Sequence, residues 1–341
     1  MTSPIETVAV IGAGAWGTAL AIAARRAGRR VTLIPRRAEQ ADAMSRTRVN
    51  EAYLPGIELD PAIVVTADET AAFGGETGAA DAVLLAVPAQ HLRAAIGRTG
   101  PRWRNAVPVL CAKGIERNTG LLMPELAAEL LPGHPPVVLS GPNFAREVAL
   151  DLPAAATIAG SDAATVAALM HALGTRRFRP YASDDPVGAA IGGAVKNVLA
   201  IAAGIVEGRG LGENARAALI TRALVEIRQL ALAKGGRPET PMGLSGLGDL
   251  LLTCTSRQSR NYSLGFALGS GEKLATLLAG RRTVVEGVAT AAAIRALADR
   301  LGLDMPIAFA VDAILHRGAA IDETIGQLLG RKFRTEIEAA G

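Results

Sequence analysis

The sequence predicts an α/β protein: a doubly wound parallel-sheet domain followed by an all-helical one. Three observations predict it. Through the first half, short and nearly continuous apolar runs alternate with helix-like segments, the pattern of strands buried on both faces and joined by crossover helices. A glycine-rich turn follows directly on the first of these runs. From about residue 185 the texture changes to long Ala/Leu/Ile-rich segments without a convincing strand. The 341 residues suit two domains, at roughly 150 residues each. We divide them at 1–185, a dinucleotide-binding domain, and 186–341, a helical domain.

The expected strands are Val8–Ile11, Val31–Ile34, Ile63–Thr66, Ala82–Val87, Val107–Ala112 and Val137–Leu139. Each is short, aliphatic or β-branched, and bounded by Gly, Pro, Asp or Ser. Thr18–Ala27 reads as the first helix. Beyond Asp184-Asp185-Pro186, helices are expected over Val187–Val206, Glu213–Lys234, Leu264–Ala279, Ala289–Leu301 and Ala308–Arg317.

Composition narrows the function. Hydrophobic residues make up 50% of the chain and aromatic ones only 3%, so Ala, Val, Leu and Ile must build the core. Such a chain is neither disordered nor fibrous. A net charge of +4, dispersed along the sequence, is too mild for a nucleic-acid partner but suits a small anionic substrate. Two cysteines, Cys111 and Cys254, form no disulfide framework, which favours a reducing, cytoplasmic compartment. His91, His134, His171 and His316 are scattered without metal spacing, so no metal is expected. Val8–Ala24 is apolar, but Glu6 and no basic residue precede it, which fits neither a secretory signal nor a bilayer span. No integral membrane segment is expected.

The run from Val8 to Ile11 leads into Gly12-Ala13-Gly14-Ala15-Trp16-Gly17 and then a helix. This is G-x-G-x-x-G in its strand–turn–helix setting, the Rossmann-like dinucleotide fingerprint. Gly12 allows the tight turn, Gly14 admits a pyrophosphate, Gly17 lets helix and strand pack closely, and the helix N-terminus offers amides to the anion. An NAD site usually carries an acid at the end of the second strand to hold the ribose 2′-hydroxyl. Here Ile34-Pro35 is followed by Arg36 and Arg37, with no acid before Glu39. Two guanidiniums there suit a 2′-phosphate, so NADP(H) is preferred and NAD(H) possible.

Further candidates follow from where charge interrupts apolar sequence. Lys113 comes straight after the Val107–Ala112 run, at the strand end where ligands bind in doubly wound sheets. The alternative is a plain surface lysine. Ser140-Gly141-Pro142-Asn143-Phe144-Ala145 is a second turn on that edge, able to offer backbone donors or the Asn143 amide. Lys196 lies in a helix apolar in almost every direction, with Asn197 beside it. Desolvation there lowers the ammonium pKa toward neutrality, as a general acid/base for a carbonyl–alcohol interconversion requires. The alternative is a lysine that snorkels or pairs with Asp184 or Asp185. Asp249 opens an apolar turn, either as a helix cap or as a partner that positions a lysine. Ser259-Arg260-Asn261 joins a guanidinium fork to two neutral groups, a combination that suits phosphate.

The collinear blocks GAGAWGTALA, NEAYLPGI, VPAQHLR, CAKGIE, SGPNFAREV, GAVKNVLAIAAGI, GLSGLGDLLLTC, SRQSRNYSLG and VVEGV closely resemble bacterial NAD(P)-dependent sn-glycerol-3-phosphate dehydrogenase. They run from the first strand to near residue 290. The resemblance implies reversible reduction of dihydroxyacetone phosphate to glycerol 3-phosphate, feeding phospholipid synthesis, by a homodimer. It makes Lys196 the proton donor/acceptor and Lys113 a contact of both cofactor and substrate. Asp249, Ser259, Arg260 and Asn261 become substrate contacts, with Arg260 also near the cofactor. Gly141 and Asn143 fall where the family binds substrate. Ala145, Trp16, Arg36, Arg37, Val284 and Glu286 fall at cofactor positions, with Gly12, Gly14, Ala15 and Gly17. Two departures stand out: the family often has Ser where this chain has Ala15 and Asn143. Two rival readings are a 3-hydroxyacid or ketopantoate-type reductase, and a non-catalytic NADP(H) sensor. The first lacks a use for the Ser259-Arg260-Asn261 anchor; the second leaves Lys113, Lys196 and Asp249 without joint purpose.

Overall fold

The computed structural model describes residues 4–73, 80–103, 105–279, 285–333 and 335. Among these residues ten strands form: β1 Thr7–Ile11, β2 Arg30–Ile34, β3 Val49–Asn50, β4 Leu54–Glu58, β5 Val64–Val65, β6 Ala82–Leu85, β7 Val107–Leu110, β8 Val137–Ser140, β9 Ala154–Ala159 and β10 Phe178–Ser183. Eight of them make one sheet in the order β10-β9-β8-β7-β6-β1-β2-β5, while β3 and β4 pair separately. β1 lies between β2 and β6, parallel to both. Its residues alternate between two cores: Val8 and Val10 pack on one face of the sheet, Ala9 and Ile11 on the other. That two-sided burial explains why the strands read as unbroken apolar runs.

The sheet is parallel, as expected, at every pairing but one: β8 and β9 pair antiparallel. β9 and β10 also lie outside the expected strands. Ala154-Ala155-Ala156 carries helix propensity rather than strand propensity. Pro180 sits within β10, and proline normally argues against a strand. β10 is the sheet edge, where the missing N–H is tolerated.

The second half is helical among its described residues. Its centre is the 23-residue helix Pro186–Gly208. Asp185 caps it, accepting from the Gly188 amide at 2.8 Å, and also takes the Arg237 amide and the Thr240 hydroxyl. By length and composition alone this helix could cross a membrane, yet 94% of its most apolar window is buried inside the protein. It is the core helix around which Glu213–Ala233, Asp249–Cys254, Arg260–Gly269, Glu286–Leu301 and Pro306–His316 gather. The expected single helix Leu264–Ala279 is instead two, Arg260–Gly269 and Leu274–Ala279. Gly271, at φ +98°, ends the first: its amide and that of Glu272 return to the carbonyls of Leu268 and Ala267.

Candidate active site

The glycine turn is built by backbone. Gly12 has φ +105° and donates its N–H to the Ile34 carbonyl at 2.9 Å, tying the turn to the end of β2. A Cβ on Gly17 would lie 1.8 Å from the Gly12 carbonyl oxygen, so the turn and the helix can meet only because residue 17 is glycine. A Cβ on Gly14 would meet nothing within 4 Å. Helix Ala15–Arg26 begins there with no side chain capping its end. The indole N–H of Trp16 is buried and has no hydrogen-bond partner among the described residues. Open space beside Gly14, uncapped amides and an unsatisfied donor fit a bound pyrophosphate-containing group.

Two supports of this turn escaped the sequence reading. Gln40 and Asn50 both donate to the Ala13 carbonyl, at 2.9 and 3.0 Å, and Asn50 also donates to the Thr18 hydroxyl at 2.8 Å. The signal was present for Asn50, which opens the NEAYLPGI block. Arg36 and Arg37 follow β2 and are exposed, as is Glu39.

The polar centre is built by side chains. Asp249, 1% exposed, uses its two carboxylate oxygens on two different lysines: Oδ1 accepts from Lys196 Nζ at 2.5 Å, and Oδ2 from Lys113 Nζ at 2.6 Å. Lys196 also donates to the Thr253 hydroxyl at 2.9 Å, whose own proton goes to the Asp249 carbonyl. Lys113 also donates to the Gly141 carbonyl at 3.0 Å. Gly193 leaves room for this approach: a Cβ there would lie 2.8 Å from the Ser140 hydroxyl and 3.3 Å from Lys113 Cγ. Lys196 therefore pairs with Asp249 and not with Asp184 or Asp185. Asp249 itself is a partner of both lysines and not a cap, since Gly248 precedes the helix in helical conformation.

Burial lowers the Lys196 pKa to about 8; the Lys113 charge adds to that, and the Asp249 carboxylate opposes it. Thr253, one turn on from Asp249, is a third polar partner that the sequence reading did not single out. The thiols of Cys111 and Cys254 are buried and free, each pushed up to about 12 by desolvation, and so unreactive.

Amide contacts extend outward from the centre. Asn197 donates to the Lys113 carbonyl at 3.4 Å and accepts from Asn261 at 2.9 Å, and the Gly287 amide donates to Asn261 Oδ1 at 3.0 Å. Ser259 caps helix Arg260–Gly269, and Arg260 is exposed beside it. Glu286 accepts from the Ala89 amide. Burial raises its carboxyl pKa, opposed by the charges of Arg260, Lys113 and Lys196. Ala145 starts the short helix after the Gly141–Asn143 turn. The Asn143 amide nitrogen donates to the Ala155 carbonyl at 3.0 Å, while its Oδ1 is buried without a partner among the described residues. Val284 lies outside the described residues. The loop after β6 touches both the glycine turn and the segment that carries Lys113: Ala86 backs onto Gly12, and Ala89 onto Gly114. Among the described residues, no three His, Cys, Asp or Glu side chains gather to hold a metal ion.

Residues 7–166 match the model for the N-terminus of NAD-dependent glycerol-3-phosphate dehydrogenase, and residues 185–326 match that for its C-terminus. The chain belongs to that family. It is 55% identical to the glycerol-3-phosphate dehydrogenase [NAD(P)+] of Rhodospirillum rubrum, over 98% of this chain and 95% of that one. The corresponding Caulobacter vibrioides enzyme is 52% identical, over 97% and 99%. A crystal structure of glycerol-3-phosphate dehydrogenase from Coxiella burnetii superposes with a TM-score of 0.91 at 37% identity, covering 96% of this chain and 99% of that one. A ketopantoate reductase from Ralstonia eutropha shares the fold alone, at 17% identity and a TM-score of 0.59.

Proposed function

We propose that the chain catalyses the reversible reduction of dihydroxyacetone phosphate to sn-glycerol 3-phosphate, with NADP(H) preferred and NAD(H) accepted, supplying glycerophospholipid synthesis. The observation that carries this reading is one buried carboxylate shared by two lysines, within a chain of this family. Residues 1–185 bind the dinucleotide and residues 186–341 carry the proton-transfer machinery. Gly12, Gly14, Ala15, Trp16 and Gly17 cradle the pyrophosphate. Arg36 and Arg37 take the 2′-phosphate, and Ala145, Arg260, Val284 and Glu286 serve the remaining cofactor contacts. When bound, the reduced nicotinamide supplies the hydride for the ketone carbon.

The chain's own residues do the rest. Lys196 gives its proton to the carbonyl oxygen as that oxygen becomes an alkoxide, and takes it back in the reverse direction. Its lowered pKa suits both directions near neutral pH. Lys113 adds positive charge beside the same oxygen. Asp249 holds the two ammonium groups apart and aimed, one on each carboxylate oxygen. With two cations and one anion, the cluster keeps a net positive charge for an anionic substrate. Ser259, Arg260 and Asn261 anchor the phosphate, with Gly141 and Asn143 lining the substrate site. A homodimer in the cytoplasm completes the reading.

The direct test follows the loss of reduced-nicotinamide absorbance by the purified protein. NADPH should be consumed rapidly with dihydroxyacetone phosphate, and NADH more slowly with the same substrate. Consumption with a carboxylate ketone and none with the triose phosphate would instead make the chain a hydroxyacid or ketopantoate-type reductase.

A further inference from the structure

The phosphate end of the site is tied down by a carboxylate that the reaction itself does not use. Glu207 stands in the last turn of the central helix Pro186–Gly208. Its Oε1 accepts from Arg257 at 2.7 Å; its Oε2 accepts from Arg216 at 3.3 Å and from the Tyr262 hydroxyl. Arg257 and Tyr262 flank Ser259-Arg260-Asn261 in sequence, so a single carboxylate holds both ends of that turn. Arg257 is further fixed by its guanidinium lying 4.1 Å over the Phe266 ring and by the Ser263 hydroxyl bonding its carbonyl at 2.6 Å. Tyr262 is buried, and its amide donates to the capping Ser259 hydroxyl at 3.3 Å.

The helix that carries this turn is pressed against the one that carries Lys196. A Cβ on Gly204 would lie 2.1 Å from the Tyr262 carbonyl oxygen, and one on Gly208 2.3 Å from that of Phe266. Facing them, a Cβ on Gly265 would lie 2.0 Å from the Ile201 carbonyl oxygen, and one on Gly269 2.6 Å from that of Ile205. Two glycine pairs, each spaced by four, put backbone on backbone. Lys196 lies two turns before Gly204 on the same helix, about 12 Å along its axis.

We propose that Glu207 is a positioning residue for phosphate recognition: through Arg257 and Tyr262 it sets the Ser259–Asn261 turn at a fixed place relative to Lys196. The proposal rests on the reading above that this turn anchors the substrate phosphate. The Glu207 side chain is 27% exposed, so its ion pairs are partly screened and add little to stability. Their effect falls on geometry, where a small displacement of the anchor weakens the hold on one end of a short substrate.

The test is Glu207→Gln in the full-length protein, assayed with dihydroxyacetone phosphate, with unphosphorylated dihydroxyacetone, and with inorganic phosphate as inhibitor. KM for the phosphorylated substrate should rise about tenfold, with the phosphate inhibition constant rising in parallel and kcat within about twofold. kcat/KM for dihydroxyacetone should not change, because that molecule has no phosphate to anchor. Arg257→Met, which keeps the stem over Phe266 and removes the charge, should raise KM about threefold and carries the test if the Gln variant does not fold. An unchanged KM, or an equal loss on both substrates, would overturn the proposal. If the wild-type protein ignores dihydroxyacetone phosphate, the functional reading fails separately. Calorimetric binding of inorganic phosphate then decides for Glu207, with equal affinity in wild type and variant counting against it.

Discussion

The two ends of the site are made from different materials. The glycine-turn end is mostly backbone: of its six consecutive residues three are Gly and two Ala, and apart from the Trp16 indole N–H the useful chemistry lies in amides and in empty space. The polar end is side chain: Lys113, Lys196 and Asp249 converge from positions 53 and 136 residues apart in sequence. The first is specified by spacing and excluded volume, the second by charge balance in a buried place. A substitution at the first should therefore act through sterics, and one at the second through protonation.

The largest expected effect separates the two ends. Lys196→Ala should lower kcat by about a thousandfold, the loss expected for a general acid, while NADPH affinity measured by fluorescence stays close to wild type. Near-normal turnover would remove Lys196 from its role. At the glycine end, Gly17→Ala should weaken NADPH binding by about a hundredfold and lower Tm, because the new methyl meets backbone that must move. Gly14→Ala sharpens the contrast. Its Cβ meets no protein atom, so Tm should hold while NADPH binding falls; unchanged binding would show that the space beside Gly14 is not used by the cofactor.

Protonation provides the next test. With Lys196 as the proposed proton donor, reduction requires its ammonium, so kcat/KM should fall about tenfold as pH rises from about 7 to about 9, through the lowered pKa. Oxidation of glycerol 3-phosphate needs the neutral amine and should rise over the same interval. Profiles that run in the same direction for both reactions would contradict the assignment. The smallest effect belongs to the exposed pair after β2. Arg36→Ala with Arg37→Ala should raise KM for NADPH about fivefold and leave that for NADH unchanged, since only the former carries the 2′-phosphate.

Legibility in the sequence follows the same division. The glycine turn, β1 and the first helix were readable because the information is local and each residue has one geometric task. Lys196 and Lys113 stood out because a charge in an apolar run is costly. Asp249 was readable as either a cap or a lysine's partner; the choice between them depends on how the central helix packs against the turn at Leu244–Gly248 and the helix after it. Thr253 was missed for that reason: its neighbours in sequence are apolar, and its partner comes from another helix. β9 and β10 were missed because their residues carry the wrong local propensities and become strands only through pairing at the sheet margin. Gln40 supports the glycine turn through a tertiary contact with no local signature, whereas Asn50, which makes the same contact, at least opened a block of family-like sequence.

The glycine-on-glycine seam between Pro186–Gly208 and Arg260–Gly269 has a consequence for substrate range. Helices locked this way cannot slide by fractions of an ångström; the next register that again sets glycine against glycine lies a full turn away, about 5.4 Å. Lengthening a substrate by one carbon asks for much less than that. The gap between the proposed proton donor and anion clamp therefore changes in coarse steps, and a lineage seeking a four-carbon phosphate would do better to rebuild the Ser259–Asn261 turn than to shift the helix beneath it.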